Sequence, residues 1–330
     1  MSEDKKVVSL KDKFFAHLET WRLYTVIWCG LVSLAGACLA NNGFPTLYIA
    51  FLAFIIPMMG WTAGLYLSDF LDRKLDAIEK PHRPIPSGRI KPNEALIVGA
   101  VFAILGLVLS AYLGVYNLIL VFVTAVLVFS YAKMSKSKGL IGNLNRGLVT
   151  VVAYLFGVFS VGLQIQSIPV YIWLFSFVFL VHDTNSNLVG AIRDMKGDKK
   201  GGYITIPVRY GVKKSIVFSL FLTILWFSML VVIPFYYRFL NNVFYMVIVV
   251  DFLLVLSLYI YLFKSMKDHS RKKALKFHEF FVVERIVMAS ALIFGITSFY
   301  VAFIIFITTL TVTVISQFML RKRYEFVDET

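Results

Sequence analysis

Nine apolar runs, each near or above the roughly 20 residues that cross the hydrocarbon core of a bilayer, dominate this sequence and leave little room for any other fold class. They cover 21–40, 45–66, 95–114, 115–131, 140–161, 170–190, 215–237, 243–263 and 287–317. Charge is clustered mostly in the intervals between them, and charged residues make up only 16% of the 330, where soluble domains carry about 25%. The expectation is an all-α, polytopic membrane protein of about nine helices, and a soluble globular domain is set aside. The ninth run is 31 residues long, which reads as a strongly tilted helix or a kinked pair hinged near Gly295.

Lys and Arg fall in every second connection: Lys5, Lys6, Lys11 and Lys13, then the stretches 73–91, 133–138, 193–214 and 264–285. By the positive-inside rule the N-terminus and these four connections are cytoplasmic. Arg321, Lys322 and Arg323 conflict with an odd number of spans unless the last run crosses twice. The polar, mixed-charge N-terminus lacks a small-residue cleavage site, so the first span is expected to be retained. The expected division is a cytoplasmic N-terminal segment at 1–20, a transmembrane domain at 21–317 and a polar tail at 318–330. Cys29 and Cys38 stand nine residues apart on one apolar run, too far to bridge each other along a helix. The net charge of +14 suits attraction to anionic lipid or an anionic substrate, and nothing supports nucleic-acid binding.

Two acidic segments repeat. SDFLDRKLDAIEKPHRPIPSGR follows the second run and HDTNSNLVGAIRDMKGDKKGG ends the sixth; their D-x-x-x-D cores, Asp72 to Asp76 and Asp194 to Asp198, lie 122 residues apart. Four helices between the copies bring both out on the same face, so the chain reads as two related halves in parallel orientation around a central cavity. On a helix, Asp69, Asp72 and Asp76 share one side, as do Asp183, Asn187, Asp194 and Asp198. Ionisable groups at a membrane are costly and therefore functional candidates. Hard oxygen ligands without suitably spaced His or Cys point to Mg²⁺, whose shell substrate phosphates usually complete. The interleaved cations Arg73, Lys74, Arg83, Arg89, Arg193, Lys196, Lys199 and Lys200 suit phosphate oxygens.

The patterns DxxDxxxDxxxxPxRPIPSGR and DxxGDxxxGxxTIPVRxG, running from Asp69 to Arg89 and from Asp194 to Gly211, resemble the two aspartate motifs of the UbiA superfamily of intramembrane prenyltransferases. The resemblance implies a Mg²⁺-dependent enzyme with nine helices that moves a prenyl group from a polyprenyl diphosphate, for example geranylgeranyl diphosphate, to an acceptor. It further implies that Asp72, Asp76, Asp194 and Asp198, with Asp69 adjoining, hold Mg²⁺ and diphosphate. Ser68 stands where the family usually has Asn. The family's Tyr and Lys after the fourth helix match Tyr131 with Lys133 or Lys136, and Arg22 matches a basic residue at the start of the first helix.

Aromatic residues make up 16% of the chain, and Trp28, Trp61, Tyr66, Tyr154, Phe156 and Trp173 are candidates to line a cavity that shelters an allylic cation. Asp251 and His182 are weaker candidates, and His278, Glu279, Glu284 and Arg285 read as a salt-bridged helix start. The acceptor is left open between aromatic or quinone precursors and lipid-like alcohols, with the PHRPIPSGR wording nearer the chlorophyll, tocopherol and archaeal-lipid branches. Two competing readings are an intramembrane terpene cyclase and a secondary transporter. The latter predicts inverted repeats and midplane binding groups on broken helices, unlike this pattern.

Overall fold

A computed structural model describes residues 8–264 and 271–325. Lys5 and Lys6, the middle of the connection after the eighth run and the end of the polar tail therefore lie outside the described residues. The helices are α1 (Leu10–Trp21), α2 (Leu23–Ala40), α3 (Leu47–Glu79), α4 (Pro92–Ala111), α5 (Val115–Ser130), α6 (Leu140–Ser160), α7 (Val170–Lys200), α8 (Ile206–Tyr210), α9 (Val212–Tyr237), α10 (Asn242–Lys264), α11 (Arg271–Ile296), α12 (Phe299–Ser316) and α13 (Lys322–Glu325). No strand occurs among the described residues. Eight helices are long and apolar enough to cross a membrane. The more polar α7 and α11 fall outside that set and pack against each other and the rest of the bundle.

Helix α2 is the hub. Nearly all of it is buried, and it packs on α3, α6, α11 and α12. Close approach depends on missing side chains: a Cβ on Gly157 of α6 would lie 1.7 Å from the Ser33 carbonyl oxygen of α2, and one on Gly147 would lie 2.5 Å from the Leu180 carbonyl oxygen of α7. Small residues draw membrane helices together in this way, where lipid gives no hydrophobic push. By contrast, α4 and α5 leave Ile104, Val108, Phe122 and Val126 exposed on the outside of the bundle, as lipid-facing helices do.

Two helices outrun the bilayer. At about 1.5 Å per residue, the 33 residues of α3 extend about 50 Å and the 31 of α7 about 46 Å, against a core of about 30 Å. The acidic segments are therefore the protruding ends of these helices rather than loops. Helix α3 stops where Lys80 N–H closes on the Asp76 carbonyl and the proline-rich 81–86 follows. Helix α7 stops at Gly201, with Gly202 at φ +74°.

The ninth run resolves into α11 and α12. The Asn241 backbone N–H and side-chain amide donate to the Gly295 and Phe294 carbonyls, which the ending helix leaves free. Gly295 leaves room for Phe244, whose Cβ would stand 2.9 Å from an added methyl. After this turn the chain returns, and Tyr324 of α13 reaches Asp69 of α3. The C-terminal cations thus share the motif-bearing end, which removes the conflict with the charge bias. Helix α1 is docked on the bundle through Arg89–Glu19 and His17–Tyr66, and the C-terminal stretch carries the buried Tyr324.

Candidate active site

The ends of α3 and α7 face a cavity of about 1140 Å³ that runs from the acidic segments into the bundle. Asp69, Asp72 and Asp76 reach it from α3, Asp183, Asn187, Asp194 and Asp198 from α7. The alignment follows from helical spacing, because i, i+3 and i+7 fall on one face. Arg22, Ser68, Arg83, Tyr131, Lys136 and Arg193 line the same space.

The carboxylates are matched with cations from different elements. Lys136 Nζ lies 2.5 Å from Asp72 Oδ2, and the Ser68 hydroxyl donates to the same oxygen at 3.4 Å. Arg83 donates to both oxygens of Asp76, at 2.9 and 2.8 Å. Arg193 forks onto Asp194 at 3.0 and 2.5 Å. Arg22 pairs with Asp69, which also accepts from the Tyr324 hydroxyl. Burial opposes the charge on Lys136, but the Asp72 carboxylate outweighs it and holds the ammonium above its ordinary range.

Asp198 behaves differently. Burial and then the neighbouring Asp194 charge push its carboxyl up to about 6. Two crowded carboxylates with only oxygen donors suit a hard divalent cation, which relieves their repulsion. No preformed cluster of three metal-binding side chains is present among the described residues, because Lys136, Arg83 and Arg193 hold Asp72, Asp76 and Asp194. A bound cation would displace or share those contacts.

Lys136 sits just past a π-helical turn at Tyr131–Ser135, a feature common at functional sites, and Ile204 N–H ties this connection to the second acidic segment through the Ser137 carbonyl. Lys133 does not line the cavity, nor do Arg73 and Lys199. Arg73 folds back to the Phe70 carbonyl at 2.6 Å and lies over the Phe70 ring. These three expected phosphate ligands face elsewhere. Of the aromatic candidates, Trp61 and Phe156 line the cavity, Trp28, Tyr66 and Tyr154 are packed in the protein interior, and Trp173 is partly exposed away from it.

His182 is buried behind the wall, with Nε2 3.1 Å from Glu284. Asp251 is fully buried, with neither carboxyl oxygen hydrogen-bonded. The expected helix-start cluster does not form as a unit: Glu284 turns to His182, while Arg285 faces the cavity. Sequence reasoning passed over Arg146 and Tyr324. For Arg146 a signal existed, an arginine six residues into an apolar run.

A family model described as the UbiA prenyltransferase family matches residues 27–284. Digeranylgeranylglyceryl phosphate synthase of Methanocaldococcus jannaschii is 33% identical over 65% of this chain and 74% of its own length. A solved structure concerned with digeranylgeranylglyceryl phosphate synthase in membranes superposes with a TM-score of 0.65 at 29% identity, covering 86% of this chain and 98% of the other. A UbiA homologue from Archaeoglobus fulgidus, solved with GPP and Mg²⁺, shares the fold with a TM-score of 0.58 at 17% identity, over 83% of this chain and 99% of that one.

Proposed function

Because this chain belongs to the UbiA prenyltransferase family, we propose that it transfers a prenyl group, dependent on Mg²⁺, from a polyprenyl diphosphate such as geranylgeranyl diphosphate to the hydroxyl of an isoprenoid glyceryl phosphate. The observation that carries the reading is one cavity with two chemistries: paired carboxylates and cations at its mouth, and an apolar wall including Val152 and Phe156 behind them. The relatives named digeranylgeranylglyceryl phosphate synthase support the glyceryl phosphate acceptor.

Asp72, Asp76, Asp194 and Asp198 would hold Mg²⁺, and the ion would neutralise charge on the departing diphosphate. Lys136, Arg83 and Arg193 stand beside these carboxylates and take the phosphate oxygens that remain. The allylic C–O bond breaks with its electrons leaving on diphosphate. The acceptor's hydroxyl oxygen forms the new C–O bond, and its proton passes to the released diphosphate. The apolar wall excludes water from the developing cation. The motif-bearing end faces the cytoplasm by its excess of Lys and Arg.

The test is diphosphate release by purified protein in nanodiscs with geranylgeranyl diphosphate and Mg²⁺. Release that requires geranylgeranylglyceryl phosphate, with the doubly prenylated lipid as product, is expected. Equal release without any acceptor would overturn transfer in favour of cyclisation or hydrolysis.

A further inference from the structure

Two arginines line the cavity well inside the acidic mouth, and among the described residues neither forms an ion pair. Arg146 of α6 lays its guanidinium 3.9 Å over the Trp61 ring and 5.6 Å from that of Tyr131. Arg285 of α11 is 4% exposed, lies 5.5 Å over Trp28, and donates to the Tyr24 carbonyl, at 3.4 Å. Its Nε is buried without a hydrogen-bond partner.

An arginine inside a membrane bundle is expensive unless something meets its charge. The cations at the mouth are met: Arg22, Arg83, Lys136 and Arg193 each have an aspartate. Arg285 lies within electrostatic reach of Arg146, Asp183 and Glu284. Glu284 is engaged by His182, and Asp183 alone does not balance two guanidiniums. The indole faces of Trp61 and Trp28 hold each fork but leave its N–H edges to donate elsewhere.

We propose that Arg146 and Arg285 form an oxyanion subsite that holds the phosphate head of the prenyl acceptor. The inference rests on the prenyl-transfer reading and assigns the acceptor its anchor. Trp61 precedes Asp72 by eleven residues and Asp183 precedes Asp194 by eleven, so the subsite lies about 16 Å along the helices from the motif carboxylates. Diphosphate, reacting carbon and a three-carbon glycerol backbone lie end to end across that interval. The planar guanidinium suits a phosphate through parallel N–H donors, a geometry lysine lacks. With the phosphate fixed there, the acceptor's free hydroxyl is directed toward the mouth, where the allylic carbon is held.

The experiment compares two acceptors, geranylgeranylglyceryl phosphate and the same lipid without phosphate, and reads the ratio of their kcat/KM values in wild type and in Arg146→Gln. The wild type is expected to favour the phosphate lipid. In Arg146→Gln the preference should fall about tenfold or more, the worth of a charge-assisted hydrogen bond, with the KM for geranylgeranyl diphosphate moving far less. Arg146→Lys, which keeps the charge and guards against loss of folding, should recover part of the preference. A ratio unchanged in Arg146→Gln would overturn the subsite while leaving prenyl transfer standing. Wild-type protein that prenylates neither lipid would overturn prenyl transfer itself, and the subsite with it.

Discussion

The hydroxyl of Tyr324, three residues beyond the π-helical turn Gln317–Arg321 that follows α12, donates to Oδ1 of Asp69 at 3.0 Å, across 255 residues of chain. Its ring lies between the guanidiniums of Arg22 and Arg83, at 4.1 and 4.2 Å, and its carbonyl accepts from His82 Nε2 at 3.1 Å. One side chain thus joins the end of α1, the first acidic segment and its proline-rich exit. Burial comes first, and the charge on Asp69 adds to it, in holding the Tyr324 phenol protonated well above its ordinary range, although Arg22 and Arg83 pull the other way. It remains a donor at any working pH.

From this clamp, Tyr324→Phe should keep the ring contacts and lose the hydroxyl's hydrogen bonds to Asp69 and from Arg22, costing several-fold in kcat/KM. Tyr324→Ala, which also removes the ring against both guanidiniums, should cost about tenfold or more. Steady-state kinetics with geranylgeranyl diphosphate as the varied substrate would separate the two. Equal activity in Tyr324→Ala and wild type would mean that the C-terminal helix is a bystander.

Asp72→Ala and Asp198→Ala should each reduce Mg²⁺-dependent turnover by at least about 100-fold, because both remove an anionic oxygen from the leaving-group site. Unfolding midpoints in detergent should stay close to wild type, since both carboxylates face the cavity. Full activity in either variant would rule out the metal assignment.

Lys136 and Lys133 should part company. Lys136→Ala should raise the KM for geranylgeranyl diphosphate about tenfold, the scale of one charge-assisted contact, whereas Lys133→Ala should remain near wild type. The reverse ranking would show that the π-turn presents a different residue to substrate.

Mg²⁺ affinity should depend on pH through Asp198. Its folded-state value, about 6, lies above the ordinary carboxylate value, so the folded protein binds this proton more tightly than the unfolded chain does. Without metal, stability therefore falls as pH rises through the window from the ordinary value to about 6. Metal competes with the proton, so below about pH 6 apparent Mg²⁺ affinity should drop by up to about tenfold per unit. Asp194→Asn removes the neighbouring charge and should move the midpoint to lower pH. Isothermal titration at several pH values measures this, and a flat profile from pH 5 to 7 would refute it.

Gly157→Ala should loosen the bundle at its tightest helix crossing. A methyl group there would meet the Ser33 carbonyl at 1.7 Å, forcing α2 and α6 apart at a cost of roughly 1–3 kcal/mol. Thermal unfolding in detergent should show a lower midpoint, with Gly60→Ala, where nothing lies within 4 Å of an added Cβ, as the comparison.

Several features were legible in the residues because their causes are local. Apolar run length set where helices cross, and the spacing of Asp69, Asp72 and Asp76 set one helical face, whether that stretch was taken as loop or helix. The two aspartate motifs named the family. The doubled crossing of the last run was signalled by its length, by Gly295 and by a conflict of charge, but not fixed by them, because Asn241 and Phe244, which pack against the turn, come from another part of the chain.

The all-α membrane class and the two acidic faces follow from the amino-acid order alone, since hydrophobic length and helical periodicity are properties of short stretches. Which charges meet follows from the packed helices. Lys136 rather than Lys133 reaches Asp72, Tyr324 closes over Asp69, Arg73 turns away, and Arg146 and Arg285 face the cavity with no ion pair among the described residues. Ion pairs and cavity walls join groups tens or hundreds of residues apart, and their partners are chosen by how helices pack, through close approaches such as Gly157 against Ser33.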